Sequence, residues 1–256
     1  METGALTGYV DVAQLVLYAF WAFFAGLIWY LVRENHREGY PMDPGPRSNA
    51  RITGFPVPAP KYFLLEDGRE VPSPNPARMD WPQDLKHVQL AGGPGAPFEP
   101  TGNPMLDGIG PGAYAQRMDV PEYNMGRGPK IFPLRTDPQY GVVQGYGRDP
   151  RGMPIVGADG VVGGTVVDLW LDGPESLFRY LEVAVPGSAR NVLVPIGAVK
   201  IRADRVTCKA VMGAHFAQVP VTRNPDQVTL LEEERIYGFF GGGTLYADPR
   251  RVEPLV

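Results

Sequence analysis

Asp11-Val-Ala-Gln-Leu-Val-Leu-Tyr-Ala-Phe-Trp-Ala-Phe-Phe-Ala-Gly-Leu-Ile-Trp-Tyr-Leu-Val-Arg33 decides how the rest of the chain is organised. The 21 residues from Val12 to Val32 carry no charge, and Gln14 is the main polar exception. At about 1.5 Å per residue the run reaches about 30 Å, the thickness of a bilayer's hydrocarbon core. Tyr9 and Tyr18 lie toward one end and Trp29 with Tyr30 toward the other, as suits two membrane–water interfaces. A cleaved signal peptide would need a basic start and a shorter apolar stretch, whereas residues 1–11 hold Glu2 and Asp11 and neither Lys nor Arg. The expectation is a retained transmembrane helix over residues 12–32. Arg33, Arg37, Arg47 and Arg51 follow it closely, so the positive-inside rule places residues 1–11 in the periplasm and the long C-terminal part in the cytoplasm.

The span contains no His, so it lacks the usual imidazole ligand for a chlorophyll or haem metal. It also contains no Asp, Glu, Lys or Arg, and hence no intramembrane charge relay. Ala19, Ala22 and Gly26 fall at i, i+3 and i+7, a small-residue stripe against which another helix could pack closely. The plainer reading is that Ala and Gly are common in membrane spans.

Composition narrows the remainder. Of 256 residues, 20% are charged and 44% hydrophobic, which excludes wholesale disorder. A formal net charge of -4 gives no electrostatic footprint for nucleic acid. The single cysteine, Cys208, excludes an internal disulfide and suits a reducing compartment. His36, His87 and His215 are far apart in sequence, which argues against a zinc or haem site.

Of the 28 prolines, 19 fall between Pro41 and Pro138. Such stretches hold neither a helix nor a central strand, because proline lacks the N–H. Yet Tyr62, Phe63, Leu64, Leu65, Trp81, Leu85, Phe98, Met105 and Tyr114 recur through the segment. Apolar anchors on extended backbone suggest a strap over residues 33–132 that is laid on another surface, rather than a loose linker. Within it, residues 61–71 predict a short hairpin turning at Asp67-Gly68.

From about Pro133 to residue 256 the pattern changes to short alternating apolar runs. Gly164–Leu171, Tyr180–Val185, Asn191–Ile196, Val199–Arg202 and Arg205–Val211 predict strands of a small cytoplasmic barrel. Strict alternation over Tyr180–Val185 places Leu181, Val183 and Val185 on one face. Pro174–Phe178 and Gly213–Gln218 look capable of a helical turn. Val228–Ile236 suits a short helix or an edge strand, and Tyr237–Ala247 is an aromatic and glycine patch. No GxSxG, P-loop or HExxH occurs, and Gly241-Gly-Gly243 lacks a Rossmann frame. Carboxylates remain as candidates for chemistry. Asp172-Gly-Pro-Glu175 is either ordinary turn chemistry or two desolvated acids able to exchange protons. Asp119 with Glu122, and Glu232-Glu-Glu234, pose the same choice against solvated charge runs.

In this order the pieces resemble the H subunit of the purple-bacterial photosynthetic reaction centre. The resemblance is carried by Asp11-Val-Ala-Gln14, Tyr18-Ala-Phe-Trp21, Phe24-Ala-Gly-Leu-Ile28 and Arg37-Glu-Gly-Tyr-Pro41. It continues in Pro100-Thr-Gly-Asn-Pro-Met105, Gly110-Pro-Gly-Ala-Tyr114, Asp149-Pro-Arg-Gly152, Val167-Asp-Leu-Trp170, Leu230-Leu-Glu-Glu233 and Gly242-Gly-Thr-Leu-Tyr-Ala247. It implies one transmembrane helix, a long irregular proline-rich segment and a PRC-type β-barrel in the inner (intracytoplasmic) membrane of a bacterium. It implies a subunit that is no enzyme by itself and binds no cofactor directly. Bacteriochlorophyll, bacteriopheophytin, quinones and non-haem iron are expected in partner L and M subunits, with membrane lipids and the light-harvesting antenna ring as neighbours. Its implied roles are to cap and steady those subunits, to support electron transfer between quinones and to deliver protons to the secondary quinone. By position, Asp172 and Glu175 match the family's acids on that proton route and Arg179 a basic residue beside them. Glu122, Lys130 and Glu233 match neighbouring members of the cluster. Some relatives carry histidines where this chain has Gly126 and Gly128, and an acid where it has Asn124, so proton uptake is expected to use other groups, Asp119 and Glu122 among them. The alternative is a membrane-tethered PRC-barrel adaptor outside photosynthesis.

Overall fold

The computed structural model describes residues 11–40, 57–75, 85–90, 97–126, 128–142 and 147–252. Tyr9, Arg47, Arg51, Trp81 and most of the N-terminal tail lie outside the described residues. The chain divides into two compact units, residues 1–83 with 92–95, and residues 84–91 with 96–256.

The first unit holds helix α1, Val12–Asn35. Asp11 caps it by accepting from the Gln14 amide at 2.7 Å. The helix runs past Val32 because the polar exit still supports it, with the Arg33 guanidinium over the Trp29 ring at 5.5 Å. With a mean hydropathy of 2.1 it is long and apolar enough to cross a membrane. Ala19, Ala22 and Gly26 lie open on its surface. Arg37 pairs with Glu34 and donates to the carbonyls of Ala59 and Ser73 at 2.8 and 2.9 Å. Those carbonyls lie beside strands β1 (Lys61–Leu64) and β2 (Glu70–Ser73), which form the expected antiparallel hairpin. Gly68 at its turn has φ +81°, a conformation that glycine adopts without strain.

The second unit opens with a two-stranded ribbon of β3 (His87–Gln89) and β4 (Phe98–Pro100). Its core is a seven-stranded sheet of β5 (Ile131–Pro133), β6 (Pro154–Val156), β7 (Val162–Asp172), β8 (Leu177–Ala184), β9 (Val192–Pro195), β10 (Val199–Ile201) and β11 (Val206–Cys208). The path is β10-β11-β6-β7-β8-β9, and β5 takes the free stretch of β7's edge beyond β6. Only β11 with β6 is parallel. The eleven residues of β7 therefore carry two short strands on one side and β8 on the other.

Leu181, Val183 and Val185 share a buried face, but Tyr180 before them and Glu182 among them are buried too. The strand is covered on both faces, which strict alternation does not anticipate. Pro174–Phe178 is not helical. Residues 173–176 turn, Ser176 takes φ 54°, and β8 starts at Leu177. Gly213–Gln218 forms a 3-10 helix whose Phe216 fills the space left by Gly163, where a Cβ would stand 2.0 Å from its ring.

Helix α2, Leu230–Tyr246, runs through the glycine patch as well as the acidic run. Thr229 and Glu232 make a reciprocal capping box at 3.1 and 2.9 Å. The glycines let backbone meet backbone. A Cβ on Gly238 would lie 2.8 Å from the Gly112 carbonyl oxygen, and one on Gly241 2.5 Å from that of Pro111. Met105 and Gly112 are buried here, so this part of the strap finds its surface on its own chain.

Gly238→Ala is the informative test of that packing. In an open helix the change stabilises by about 1 kcal/mol. Here the added carbon meets a carbonyl oxygen, and the expected result is a loss of about 1–3 kcal/mol in thermal or denaturant unfolding. Gly197→Ala, with no atom within 4 Å of its new carbon, should stay within about 0.5 kcal/mol of the starting protein.

Candidate functional site

Strand β7 ends at Asp172, opposite Ile131 of β5 and Leu177 of β8. Its carboxylate has 0% exposure. Oδ1 accepts from the Glu175 amide at 3.2 Å, which closes the turn. Oδ2 accepts from Arg179 Nε and Nη2 at 3.1 and 3.0 Å. Turn chemistry and charge pairing thus share one side chain. A buried carboxylate requires such donors, since an unpaired charge away from water is far costlier.

Arg179 Nη2 also donates to Glu175 Oε2 at 3.1 Å. Lys130 enters from the segment before β5, whose carbonyl accepts from the Gly173 amide at 3.0 Å. Its Nζ lies 3.3 Å from Glu122 Oε2, 3.8 Å from Asp172 Oδ2 and 3.9 Å from Glu175 Oε1. Only the first is short enough for a hydrogen bond, and the others are ion pairs. One ammonium therefore faces three carboxylates. Glu122 and Glu175 are about half exposed, while Asp172 is sealed. Arg179 is held more firmly protonated by its bond to Asp172.

Glu233, on the first turn of α2, accepts from the Tyr180 hydroxyl at 2.7 Å. Burial pushes its carboxyl above the ordinary carboxylate value; the Tyr180 bond and Arg117 pull the other way, and Glu122 adds to the rise. Burial also pushes up the Tyr180 phenol, with Glu233 adding to it, and the Tyr237 phenol. The rings of these two tyrosines lie 5.7 Å apart.

Asp119 is employed differently. It accepts from Thr229 Oγ1 at 2.7 Å and pairs with Arg223, and those bonds hold its carboxyl below the usual range. Those two partners tie down the start of α2 and stand apart from the Asp172 group. Glu232 likewise caps that helix and accepts from the Arg223 amide at 2.7 Å, so it is no solvated charge.

Residue patterning missed Tyr180 and Tyr237, which look like ordinary strand and patch aromatics. It also missed a second cluster. Asp168 and Glu182 stand opposite each other in register on β7 and β8, and both are buried. Arg135 bridges them and reaches the Pro225 carbonyl and Asp226, while Trp170 Nε1 and Asn191 donate to Glu182 at 2.8 and 2.7 Å. Two like charges across a strand pair were the available signal, since they demand a cation between them. Among the described residues no group of three or more His, Cys, Asp or Glu side chains is arranged to hold a metal ion.

Comparison with known families gives two matches. Residues 4–136 match the photosynthetic reaction centre H-chain N-terminal region, just over half of the chain. Residues 143–214 match the PRC-barrel domain.

Asp119 and Glu233 should show opposite pH signatures in thermal unfolding. The lowered folded value of Asp119 means that its contribution is present above the ordinary aspartate value of 3.8 and is lost as pH falls through the lower folded one. Asp119→Asn should therefore lower Tm at neutral pH and cease to matter in acid. Glu233 has a raised value, so its protonated form favours the fold below 4.5 and that advantage is lost as pH rises through the folded value. Relative to the starting protein, Glu233→Gln should gain in Tm across that rise.

Proposed function

From the chain's membership of the photosynthetic reaction centre H-chain family, we propose that it caps the pigment-binding L and M subunits on the cytoplasmic side and helps deliver protons to their secondary quinone. In this reading α1 crosses the bacterial inner membrane once, with the N-terminus periplasmic, and Ala19, Ala22 and Gly26 face a partner helix. The span's lack of histidine and charge fits an anchor that leaves pigment and iron to its partners. Membrane lipids and the antenna ring are its other neighbours.

Reduction of a quinone to a quinol consumes two electrons and two protons in a site shielded from bulk water. Groups that hold and release protons at fixed positions are therefore required. The observation that carries the proposal is the sealed Asp172 carboxylate joined to exposed carboxylates through Lys130 and Arg179. Glu175 and Glu122 can take a proton from solvent. Arg179 remains charged and balances Asp172 whether or not its neighbours are protonated. Lys130 spans Glu122, Asp172 and Glu175, so its short lateral movement can offset charge as a proton passes among them. Glu233 holds a proton more readily than an ordinary carboxyl and sits at the helix edge of the group.

The test is proton uptake coupled to the second electron in the native pigment-bearing complex. The Asp172→Asn, Glu175→Gln double variant should slow it by about tenfold or more. Unchanged uptake in a fully assembled complex would remove the relay, and purification of the chain without near-infrared pigment absorption would remove the assembly.

A further inference from the structure

Arg37 ties the exit of α1 to the open end of the β1–β2 hairpin through the carbonyls of Ala59 and Ser73. Lys61, the first residue of β1, completes the attachment. Its ammonium lies 2.5 Å from Glu34 Oε2 and 5.9 Å from the centre of the Tyr30 ring. Tyr30 precedes Glu34 by four residues, so it stands about 6 Å nearer the middle of the span. The Lys61 side chain therefore leaves β1 on the side that faces the apolar part of the helix. Side chains two apart on a strand share a face, so Phe63 points the same way. Val71 stands opposite Phe63 in the register and joins it there. Phe63 nevertheless keeps 53% of its surface open. The other face pairs Tyr62 with Pro72 and Leu64 with Glu70. It is partly apolar too, but it carries the exposed Glu70 carboxylate, whose entry into lipid is costly. The hairpin is thus two-sided. An aromatic and a valine beside a cation turn toward the span, and an acid turns away from it.

We propose that the Phe63–Val71 face of this hairpin lies in the headgroup boundary of the lipid bilayer, as a second membrane contact beside α1. The inference rests on the reading above that α1 crosses the membrane. A boundary of anionic headgroups over acyl chains matches the two-sided hairpin, since it takes up apolar rings, attracts ammonium groups and repels carboxylates. Lys61 can keep its charge among the headgroups while its stem lies along apolar surface. The attachment gives the contact its effect. Glu34 holds both Arg37 and Lys61, so the hairpin's open end and the helix exit form one piece. A ring held at the boundary then holds the exit of α1 at the same depth, which the apolar length of the helix alone does not fix.

The experiment places a nitroxide label on single introduced cysteines in the native complex, reconstituted in vesicles of phosphatidylcholine and phosphatidylglycerol. Cys208 is buried, and the unsubstituted complex supplies the blank for any other thiol. Collisions of the label with oxygen, which concentrates in lipid, are compared with those of a water-soluble nickel chelate. At Phe63→Cys oxygen should dominate, and the ratio should fall severalfold at Leu64→Cys on the other face. Val71→Cys reads the same face as Phe63→Cys should the latter fail to assemble. Ile28→Cys, on the side of α1 away from Ala19, Ala22 and Gly26, tests the span itself. Oxygen dominance at Ile28→Cys with chelate dominance at Phe63→Cys would mean a hairpin in water and overturn the inference alone. Few collisions of either kind at Phe63→Cys would mean that a protein partner covers this face, and would overturn it too. Equal ratios at Phe63→Cys and Leu64→Cys would overturn the assignment of one face to lipid. Chelate dominance at Ile28→Cys would overturn the membrane span on which the inference rests.

Discussion

Asp172 has no surface open to water, and a carboxylate in that position is tolerable only if donors reach it from several directions. The surrounding architecture can be derived from that requirement. β8 must leave the turn so that Arg179 doubles back onto Oδ2, which the Glu175 amide permits by holding Oδ1. The segment before β5 must lie along the end of β7, since it brings Lys130 within 3.8 Å and pairs Ile131 with Asp172. The short strand β5 is thus the support of a charged residue as much as a piece of sheet. Removal of one donor would leave a buried charge underpaired, which is a much larger perturbation than the loss of a surface ion pair.

The same logic explains why both faces of the sheet are covered. Tyr180 points toward α2, where Glu233 satisfies its hydroxyl. Glu182, two residues on, is satisfied by Arg135, Trp170 and Asn191. Each polar atom taken into the interior thereby brings a further element onto the sheet. α2 can approach the 110–112 turn only because three of its residues there, Gly238, Gly241 and Gly242, are glycines, and Gly110 accepts φ +56° at the point of contact. The helix forgoes intrinsic propensity at those positions and regains it through burial of Phe239, Phe240 and Ile236.

What the sequence revealed follows from how local each signal is. An uncharged run of membrane length, the Asp67-Gly68 turn and the alternating strands are written in neighbouring residues, and each is present as expected. The second half of α2 was not legible, because Gly241-Gly-Gly243 has poor helix propensity and only a backbone contact more than a hundred residues away explains it. The bond from Tyr180 to Glu233 was illegible for the same reason, its partner lying 53 residues on. The acids at 172, 175, 122 and 233 could be named from the family resemblance, but not sorted. Asp119 and Glu122 are three residues apart, yet the first is committed to Arg223 and the helix cap while the second faces Lys130. No spacing rule separates those two fates.

The origins of the cluster's members carry the last step. Glu122 and Lys130 belong to the stretch with the H-chain signature, whereas Asp172, Glu175 and Arg179 belong to the barrel. Glu233 and Tyr237 come from α2, beyond both. A barrel alone would hold Asp172 with Arg179, an ordinary buried ion pair at a turn. The H-chain stretch adds an ammonium shared among three carboxylates, and α2 adds a carboxyl that holds its proton more firmly. Lys130 reaches the barrel's carboxylates because the H-chain stretch lies along the end of β7, where its carbonyl holds the Gly173 amide. The proline-rich strap thus supplies the ammonium that the barrel's carboxylates share.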